Sequence, residues 1–161
     1  MSSVPFEETY VGSLRQHVGA QRLITPGPRA IILDDAGDVL LVRRSDDSTW
    51  VMPAGGLELG ESIWDALVRE VHEETGLVVE AATPIALYTG PQYWFTNAYR
   101  GEHQMFSVAF RVDRWSGSLV AETDETRDAR FFARDELPPL RPVYQETLVD
   151  LDAFDGALIV K

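Results

Sequence analysis

The segment from Gly55 to Leu77 joins a glycine-rich loop to an acidic helix, and its spacing constrains the fold more than any other stretch of the chain. Four residues that interrupt regular structure mark the loop: Pro53, Gly55, Gly56 and Gly60. Ser62 with Asp65 three residues later predicts a capping box, and Gly76 predicts the C-terminal end of the helix. Three apolar residues between these ends fall on one stripe: Ile63, Leu67 and Val71. The segment is therefore predicted to be a loop followed by an amphipathic helix.

Three glutamates of the predicted helix share one face. Glu70, Glu73 and Glu74 stand at positions i, i+3 and i+4, and Arg69 is the only cation close to them in sequence. Like charges at this spacing cost only roughly 0.2–0.5 kcal/mol per pair on an exposed helix, so the glutamates alone would also fit a solvated acidic face. Their fixed distance from the glycine loop makes the combined pattern far more specific than the glutamates alone.

The combined pattern resembles the Nudix box. That motif is a glycine, five residues, Glu, seven residues, Arg-Glu, an aliphatic residue, any residue, Glu-Glu, any residue, Gly and an aliphatic residue. The segment from Gly55 to Leu77 matches every defined position. The resemblance implies an α+β fold, the α/β/α sandwich with a mixed sheet and helices on both faces, over roughly residues 22–154. It also implies a Nudix hydrolase, which uses Mg²⁺ or Mn²⁺ to cleave nucleoside diphosphates linked to another moiety.

The chemistry of the acidic helix fits a hard metal ion. Mg²⁺ prefers oxygen ligands in octahedral geometry and is usually held by a few carboxylates together with the phosphates of the substrate. The metal ligands expected from the resemblance are Glu70, Glu73, Glu74 and a backbone carbonyl at Gly55 or the adjacent Ala54. We expect the bound metal to orient the diphosphate and to activate the attacking water.

The general base and its supporting residues are less closely defined. A glutamate that is not fully committed to the metal would accept the proton, and Glu73 and Glu125 are the candidates. Glu125 enters because a glutamate ahead of a late strand can reach the metal in this family, although Glu122 is also placed to do so. Arg69 is expected to form an ion pair with Glu61 that holds the loop and the helix in place.

Candidate substrate-binding residues lie on both sides of the motif. Arg43 and Arg44 end a predicted strand, so one should approach the site while the other reaches solvent, and a surface ion pair is the alternative to a phosphate contact. Trp50, just before the loop, fits either the core or the wall of a pocket. Tyr93 and Trp94 lie in a polar segment, residues 89–101, where they would either stack on a base or ribose or anchor the loop.

The order of predicted elements gives one domain with short additions at both ends. We predict an N-terminal helical extension over residues 1–21, the hydrolase domain over residues 22–154 and a C-terminal tail over residues 155–161. The extension would pack on the domain, form a dimer contact or cover the substrate, so a homodimer is possible. A closing helix is predicted at residues 143–154. Strands are predicted at residues 22–25, 30–33, 39–44, 78–80, 85–88, 105–112, 119–120 and 129–133.

Composition limits the partners of a chain of 161 residues. With 26 acidic and 14 basic residues the net charge is −12, which argues against a nucleic-acid polymer or an anionic membrane and leaves a small nucleotide as the expected substrate. No cysteine is present, so disulfides and thiol chemistry are excluded. No long apolar run or signal-peptide pattern is found, and we expect a cytoplasmic protein.

Two residues after the motif give a weak indication of the substrate. Tyr93 lies sixteen residues after Leu77, as in dinucleoside polyphosphate hydrolases, and Pro91 lies near the position of a proline associated with ADP-ribose pyrophosphatases. The sequence therefore favours dinucleoside polyphosphates and ADP-ribose almost equally as substrates. Mutagenic nucleoside triphosphates are the third candidate. Two non-enzymatic functions are the alternatives: a nucleotide-binding module that does not hydrolyse its ligand, and an acidic structural domain that binds no metal.

Overall fold

The computed structural model describes residues 5–161 and contains three α-helices and eight strands in that range. The helices are α1 Tyr10–Val18, α2 Ile63–Thr75 and α3 Pro142–Ala153, and a 3₁₀ turn at Phe6–Glu8 precedes α1. The strands are β1 Leu23–Ile31, β2 Val39–Arg44, β3 Trp50–Val51, β4 Leu77–Tyr88, β5 Trp94–Thr96, β6 Glu102–Gly117, β7 Thr126–Phe132 and β8 Ile159–Val160. No helix in these residues is long and apolar enough to cross a membrane.

The strands form two sheets. The larger sheet has the order β1-β6-β4-β8, with β5 also paired to β6. It is mixed, because β1 runs parallel to β6 and β4 parallel to β8, whereas β4 and β5 are antiparallel to β6. The smaller sheet has the order β3-β2-β7 and is antiparallel.

Helices cover opposite faces of the larger sheet because side chains alternate along each strand. Ala30 of β1 belongs to the same buried cluster as Leu67 of α2. The next residue, Ile31, belongs instead to the cluster that contains Leu148 of α3. The α/β/α arrangement expected from the sequence is therefore confirmed.

Helix α2 begins and ends as predicted. The Ser62 hydroxyl accepts a hydrogen bond from the Asp65 backbone N–H at 3.2 Å, and the Asp65 carboxylate accepts one from the Ser62 N–H at 3.0 Å. Gly76 ends the helix in the left-handed conformation, with φ of 74°. Leu67 and Val71 are buried, so the predicted apolar stripe faces the sheet.

Several boundaries differ from the sequence-based predictions. The segment over residues 89–101 was predicted to be a loop, but β5 lies within it because Trp94–Thr96 pairs with β6. Residues 119–120 were predicted to form a strand and do not. The predicted C-terminal tail contains β8, which extends the large sheet beside β4. The predicted N-terminal extension contains α1, and its residues 1–4 lie outside the described residues.

Candidate active site

One cavity of about 740 Å³ lies between the carboxylate face of α2, the glycine loop (residues 53–62) and the exposed end of the β1–β6 pair. Its floor follows from the parallel register of these strands, in which Thr25 pairs with Met105 and Gly27 pairs with Ser107. Paired residues point to the same side of a sheet, and all four line the cavity. The floor is therefore the sheet face opposite to α2.

Three carboxylates converge on the wall of this cavity. Glu70 and Glu74 of α2 and Glu125, just before β7, each place an oxygen within 4.8 Å of the others. We call these three residues the carboxylate cluster. Glu70 and Glu74 are 7% and 3% exposed, and Glu125 is more exposed. The Ala54 backbone N–H donates to Glu74 Oε2 at 3.0 Å, which fixes this carboxylate against the glycine loop.

The carboxylate cluster has the electrostatics of a cation site. Burial raises the pKa of Glu70 to about 7, against the opposing effect of Arg69. Burial and the neighbouring Glu70 raise the pKa of Glu74 well above its usual range, and burial and Glu73 raise the pKa of Glu125. Buried like charges this close are unfavourable unless they are protonated or share a cation. The oxygen-only donor set therefore fits a hard divalent metal ion.

Arg69 links the helix to the glycine loop. Its guanidinium donates to Glu61 at 2.6 and 3.0 Å, which confirms the ion pair expected from the sequence. It also donates to Glu70 at 2.7 Å, Glu73 at 3.0 Å and the Gly56 carbonyl at 2.9 Å. Glu73 lines the cavity but is paired with Arg69, whereas Glu125 completes the closest group of three carboxylates. The assignment of ligands and base among these glutamates remains a prediction.

Two glycines allow the loop to approach its neighbours closely. A Cβ added at Gly55 would lie 1.9 Å from Cδ of Glu70, so a side chain there would displace that carboxylate. A Cβ added at Gly27 of β1 would lie 1.9 Å from the carbonyl oxygen of Gly55. The first position of the sequence motif is therefore a glycine because α2 and the loop are in direct contact there.

The two successive arginines of β2 separate as the strand alternation predicts. Arg44 lines the cavity and forms a two-pronged ion pair with Asp46 at 2.6 and 2.8 Å. Arg43 is exposed, lies outside the cavity and donates to the Ser48 carbonyl at 3.2 Å. Of the pair, only Arg44 is positioned to reach a substrate in the cavity.

The three aromatic residues proposed for substrate binding lie outside the cavity. Trp50 packs edge-on against Phe132 at 4.9 Å between ring centroids. Tyr93 is buried and its hydroxyl donates to Glu146 at 3.0 Å, which fits the anchoring alternative. Trp94 is 47% exposed and stacks with an arginine side chain on the outer surface. Trp50 therefore fits the core alternative and Tyr93 the anchoring alternative, and the position of Trp94 outside the cavity does not support stacking on a substrate there.

Phe95 is the aromatic residue of β5 that lines the cavity. It points opposite to Trp94 because neighbouring strand residues alternate. Its ring stacks on His103 at 4.9 Å, and the Arg141 guanidinium lies 5.6 Å from its centroid. The sequence-based reasoning missed Phe95 because β5 was interpreted as a loop, in which alternation gives no direction to side chains.

The family model of the NUDIX domain matches residues 24–151, which is most of the chain. The chain belongs to the Nudix family. The enzyme class expected from the sequence, a Nudix pyrophosphohydrolase, is thereby confirmed. Members of this family generally use a divalent metal, and the carboxylate cluster could bind one.

Similar proteins include enzymes with different named substrates. The chain is 30% identical over 133 residues to an ADP-ribose pyrophosphatase of Methanocaldococcus jannaschii, covering 81% of this chain and 68% of that protein. It is 35% identical over 116 residues to the NAD-capped RNA hydrolase NudC of Pseudomonas aeruginosa, covering 70% of this chain and 38% of that protein. A solved ADP-ribose pyrophosphatase from Streptococcus suis has a TM-score of 0.65 and 26% identity, covering 86% of this chain and 100% of that chain.

Proposed function

We propose that this Nudix hydrolase cleaves the diphosphate linkage of a nucleoside diphosphate sugar of the ADP-ribose type, with Mg²⁺ as its metal and Mn²⁺ as a substitute. The observation that carries the proposal is the carboxylate cluster, two of whose three members are buried, on the wall of a cavity large enough for a nucleotide. The proposed substrate is a small molecule, in keeping with the net charge of −12. A homodimer and a cytoplasmic location remain predictions.

Each part of the site would have a separate role in the reaction. Glu70, Glu74 and Glu125 would hold the metal, which when bound neutralises phosphate charge and lowers the pKa of the attacking water. Arg69 keeps Glu70 in place through its contacts with the glycine loop. With Glu125 on the metal, Glu73 would accept a proton from the attacking water; if Glu125 is instead the base, Glu70 and Glu74 alone of the carboxylate cluster hold the metal, and both candidate bases line the cavity. Attack of the water at one phosphorus breaks its bond to the bridging oxygen, and the other phosphate leaves with that oxygen.

The position of Tyr93 favours ADP-ribose over dinucleoside polyphosphates. The position of Tyr93 in the sequence points to dinucleoside polyphosphates only if its side chain faces the substrate. Its hydroxyl instead donates a hydrogen bond to Glu146, and neither residue lines the cavity. Two of the similar proteins described above are named ADP-ribose pyrophosphatases. A nucleoside diphosphate sugar is therefore the substrate class best supported by the site and by similarity.

A substrate panel tests the proposal. ADP-ribose, diadenosine polyphosphates, a set of deoxynucleoside triphosphates and p-nitrophenyl phosphate would each be incubated with Mg²⁺, and products identified by mass spectrometry. We expect ADP-ribose to give AMP and ribose 5-phosphate with the highest kcat/KM. Faster hydrolysis of p-nitrophenyl phosphate than of every diphosphate compound would overturn the proposed reaction. Preference for a triphosphate would overturn the substrate class alone.

A further inference from the structure

Arg29 is an arginine buried in β1, with 2% of its surface exposed. Its guanidinium lies over the rings of Tyr88 and Tyr144, at 5.2 and 4.9 Å from their centroids. Nη1 donates to the Thr147 hydroxyl at 2.8 Å. Nη2 contacts only the thioether of Met105 at 3.5 Å, and Nε has no hydrogen-bond partner among the described residues. One edge of the guanidinium thus lacks a strong acceptor.

The missing acceptor distinguishes Arg29 from the other arginines that line the cavity. Three of them form ion pairs: Arg44 with Asp46, Arg69 with Glu61, and Arg141 with Asp47. Within residues 5–161, Arg29 has no carboxylate within salt-bridge distance. Buried charges are normally paired, because transfer of an unpaired charge from water is costly.

The nearby acidic side chain is already engaged. Glu146 contributes a favourable charge to Arg29, but its carboxylate accepts from Lys161 Nζ at 2.8 Å and from the Tyr93 hydroxyl at 3.0 Å. Burial accordingly lowers the pKa of Arg29 from its usual value. The protein therefore supplies Arg29 with aromatic faces and one hydroxyl, but with no anion of its own.

The free edge of Arg29 is directed to the cavity side of the sheet. Arg29 alternates with Gly27 along β1, so both point to the face that forms the cavity floor. Met105 lines the cavity and covers Nη2. A thioether is a weak acceptor on a flexible side chain, so a stronger acceptor could displace it. The parallel N–H groups of an arginine edge match two oxygens of a phosphate.

The position of Arg29 also relates it to the carboxylate cluster. Its backbone forms a β-bridge with Ala54, and the Ala54 N–H donates to Glu74. The strand that carries Arg29 thus adjoins the loop that carries one side of the proposed metal site. A diphosphate in the cavity would meet carboxylate-bound metal at one side and a cation at the inner floor.

We propose that Arg29 is a phosphate receptor in the inner floor of the cavity, reached by displacement of Met105, which binds a phosphate group of the diphosphate substrate. This assignment rests on the proposed hydrolysis of a diphosphate for the identity of the ligand. The alternative is a purely structural arginine packed between two tyrosines, which requires no anion.

Inorganic phosphate binding without metal separates the two. In the presence of EDTA no metal is bound, and the carboxylate cluster repels anions. Phosphate binding is measured by calorimetry, with chloride at equal ionic strength as the reference. Saturable binding under these conditions therefore requires a positively charged side chain. We expect Arg29→Met to weaken phosphate binding at least tenfold, since charged hydrogen bonds are lost. The matched control is Arg114→Met, because Arg114 is an exposed strand arginine that pairs with Glu80, and neither residue lines the cavity. Its phosphate affinity should equal that of the wild type.

A second variant keeps the test valid if Arg29→Met does not fold. Met105→Glu places a carboxylate beside the retained Arg29 and should remove phosphate binding by occupying the free edge. Phosphate binding that persists in Met105→Glu, or equal affinity in folded Arg29→Met and wild type, would overturn the proposal. So would the absence of binding to the wild type.

Kinetics with Mg²⁺ distinguish failure of this inference from failure of the proposed function. Arg29→Met should lower kcat/KM for ADP-ribose at least tenfold. Unchanged kcat/KM in an active variant would overturn the role of Arg29 while leaving the hydrolase intact. A wild-type protein that binds phosphate through Arg29 but cleaves no diphosphate would overturn the proposed function and leave the phosphate site standing.

Discussion

Replacement of Glu74 by glutamine tests whether the carboxylate cluster exists to bind metal. The glutamine oxygen can still accept the Ala54 N–H, which lies 3.0 Å from Glu74 Oε2. Because burial and Glu70 raise the pKa of Glu74, glutamine also resembles the protonated form favoured without metal. We therefore expect Glu74→Gln to be at least as stable as the wild type in EDTA.

The same substitution should remove most of the stabilisation by Mg²⁺. A ligand at about 100 times its Kd stabilises the folded state by about 2.7 kcal/mol. For a protein of this size, 1 kcal/mol corresponds to roughly 2–4 °C in Tm, so Mg²⁺ should raise the wild-type Tm by about 5–11 °C. Turnover should fall by on the order of 10²-fold, since a lost ligand costs at least as much as a lost outer contact.

Differential scanning calorimetry with and without Mg²⁺, combined with an ADP-ribose hydrolysis assay, measures both effects. Glu136→Gln is the matched control, because Glu136 is exposed and lies outside the cavity. It should retain the wild-type Mg²⁺ shift and turnover. The reasoning would be refuted if Glu74→Gln kept turnover within twofold of wild type at saturating Mg²⁺ together with the full Tm shift.

Three further predictions concern the glycine loop, the aromatic wall and pH. Gly55→Ala should reduce turnover and raise the Mg²⁺ concentration required, because the new Cβ would lie 1.9 Å from Cδ of Glu70 and push that carboxylate away. An unchanged dependence of activity on Mg²⁺ concentration would contradict this. Phe95→Ala should raise KM for ADP-ribose by an amount equivalent to roughly 1–3 kcal/mol, whereas Trp94→Ala should leave it unchanged, and the reverse result would return stacking to Trp94. Without metal, the pKa of Glu70 is about 7 in the folded state against 4.5 as its usual value. The folded state therefore binds this proton more tightly than the unfolded state does. The resulting contribution to the free energy of unfolding is fully present below about pH 4.5 and is lost as the pH rises through about 7. Urea unfolding in EDTA at several pH values should show this loss, and it should be smaller in Glu70→Gln, where only the raised pKa values of Glu74 and Glu125 still contribute.

Local signals in the sequence predict the parts of the site that neighbouring residues build. The capping box of Ser62 and Asp65 and the end of α2 at Gly76 depend on contacts a few residues apart, and all are present. The Arg69–Glu61 ion pair was also predictable, since the motif fixes both residues on the loop and helix. Alternation in β2 likewise predicted that only one of two adjacent arginines would approach the cavity.

Residues whose roles depend on distant partners were not predictable in the same way. Trp94 and Phe95 lie in β5 only because that short strand pairs with β6, and the pairing decides which ring faces the cavity. Tyr93 is held by Glu146 of α3, which is distant in sequence. Arg29 gives no local sign of burial, because its surroundings come from β4, β6 and α3.

Hydrolysis of ADP-ribose in ¹⁸O-labelled water tests the central claim most directly, because it shows which bond is broken. The products of the wild-type protein with Mg²⁺ would be separated and weighed by mass spectrometry. Attack of water at phosphorus predicts AMP and ribose 5-phosphate, with one ¹⁸O in the phosphate group of one of the two. Release of inorganic phosphate, or of one product that keeps both phosphates, in place of two monophosphates would contradict the account.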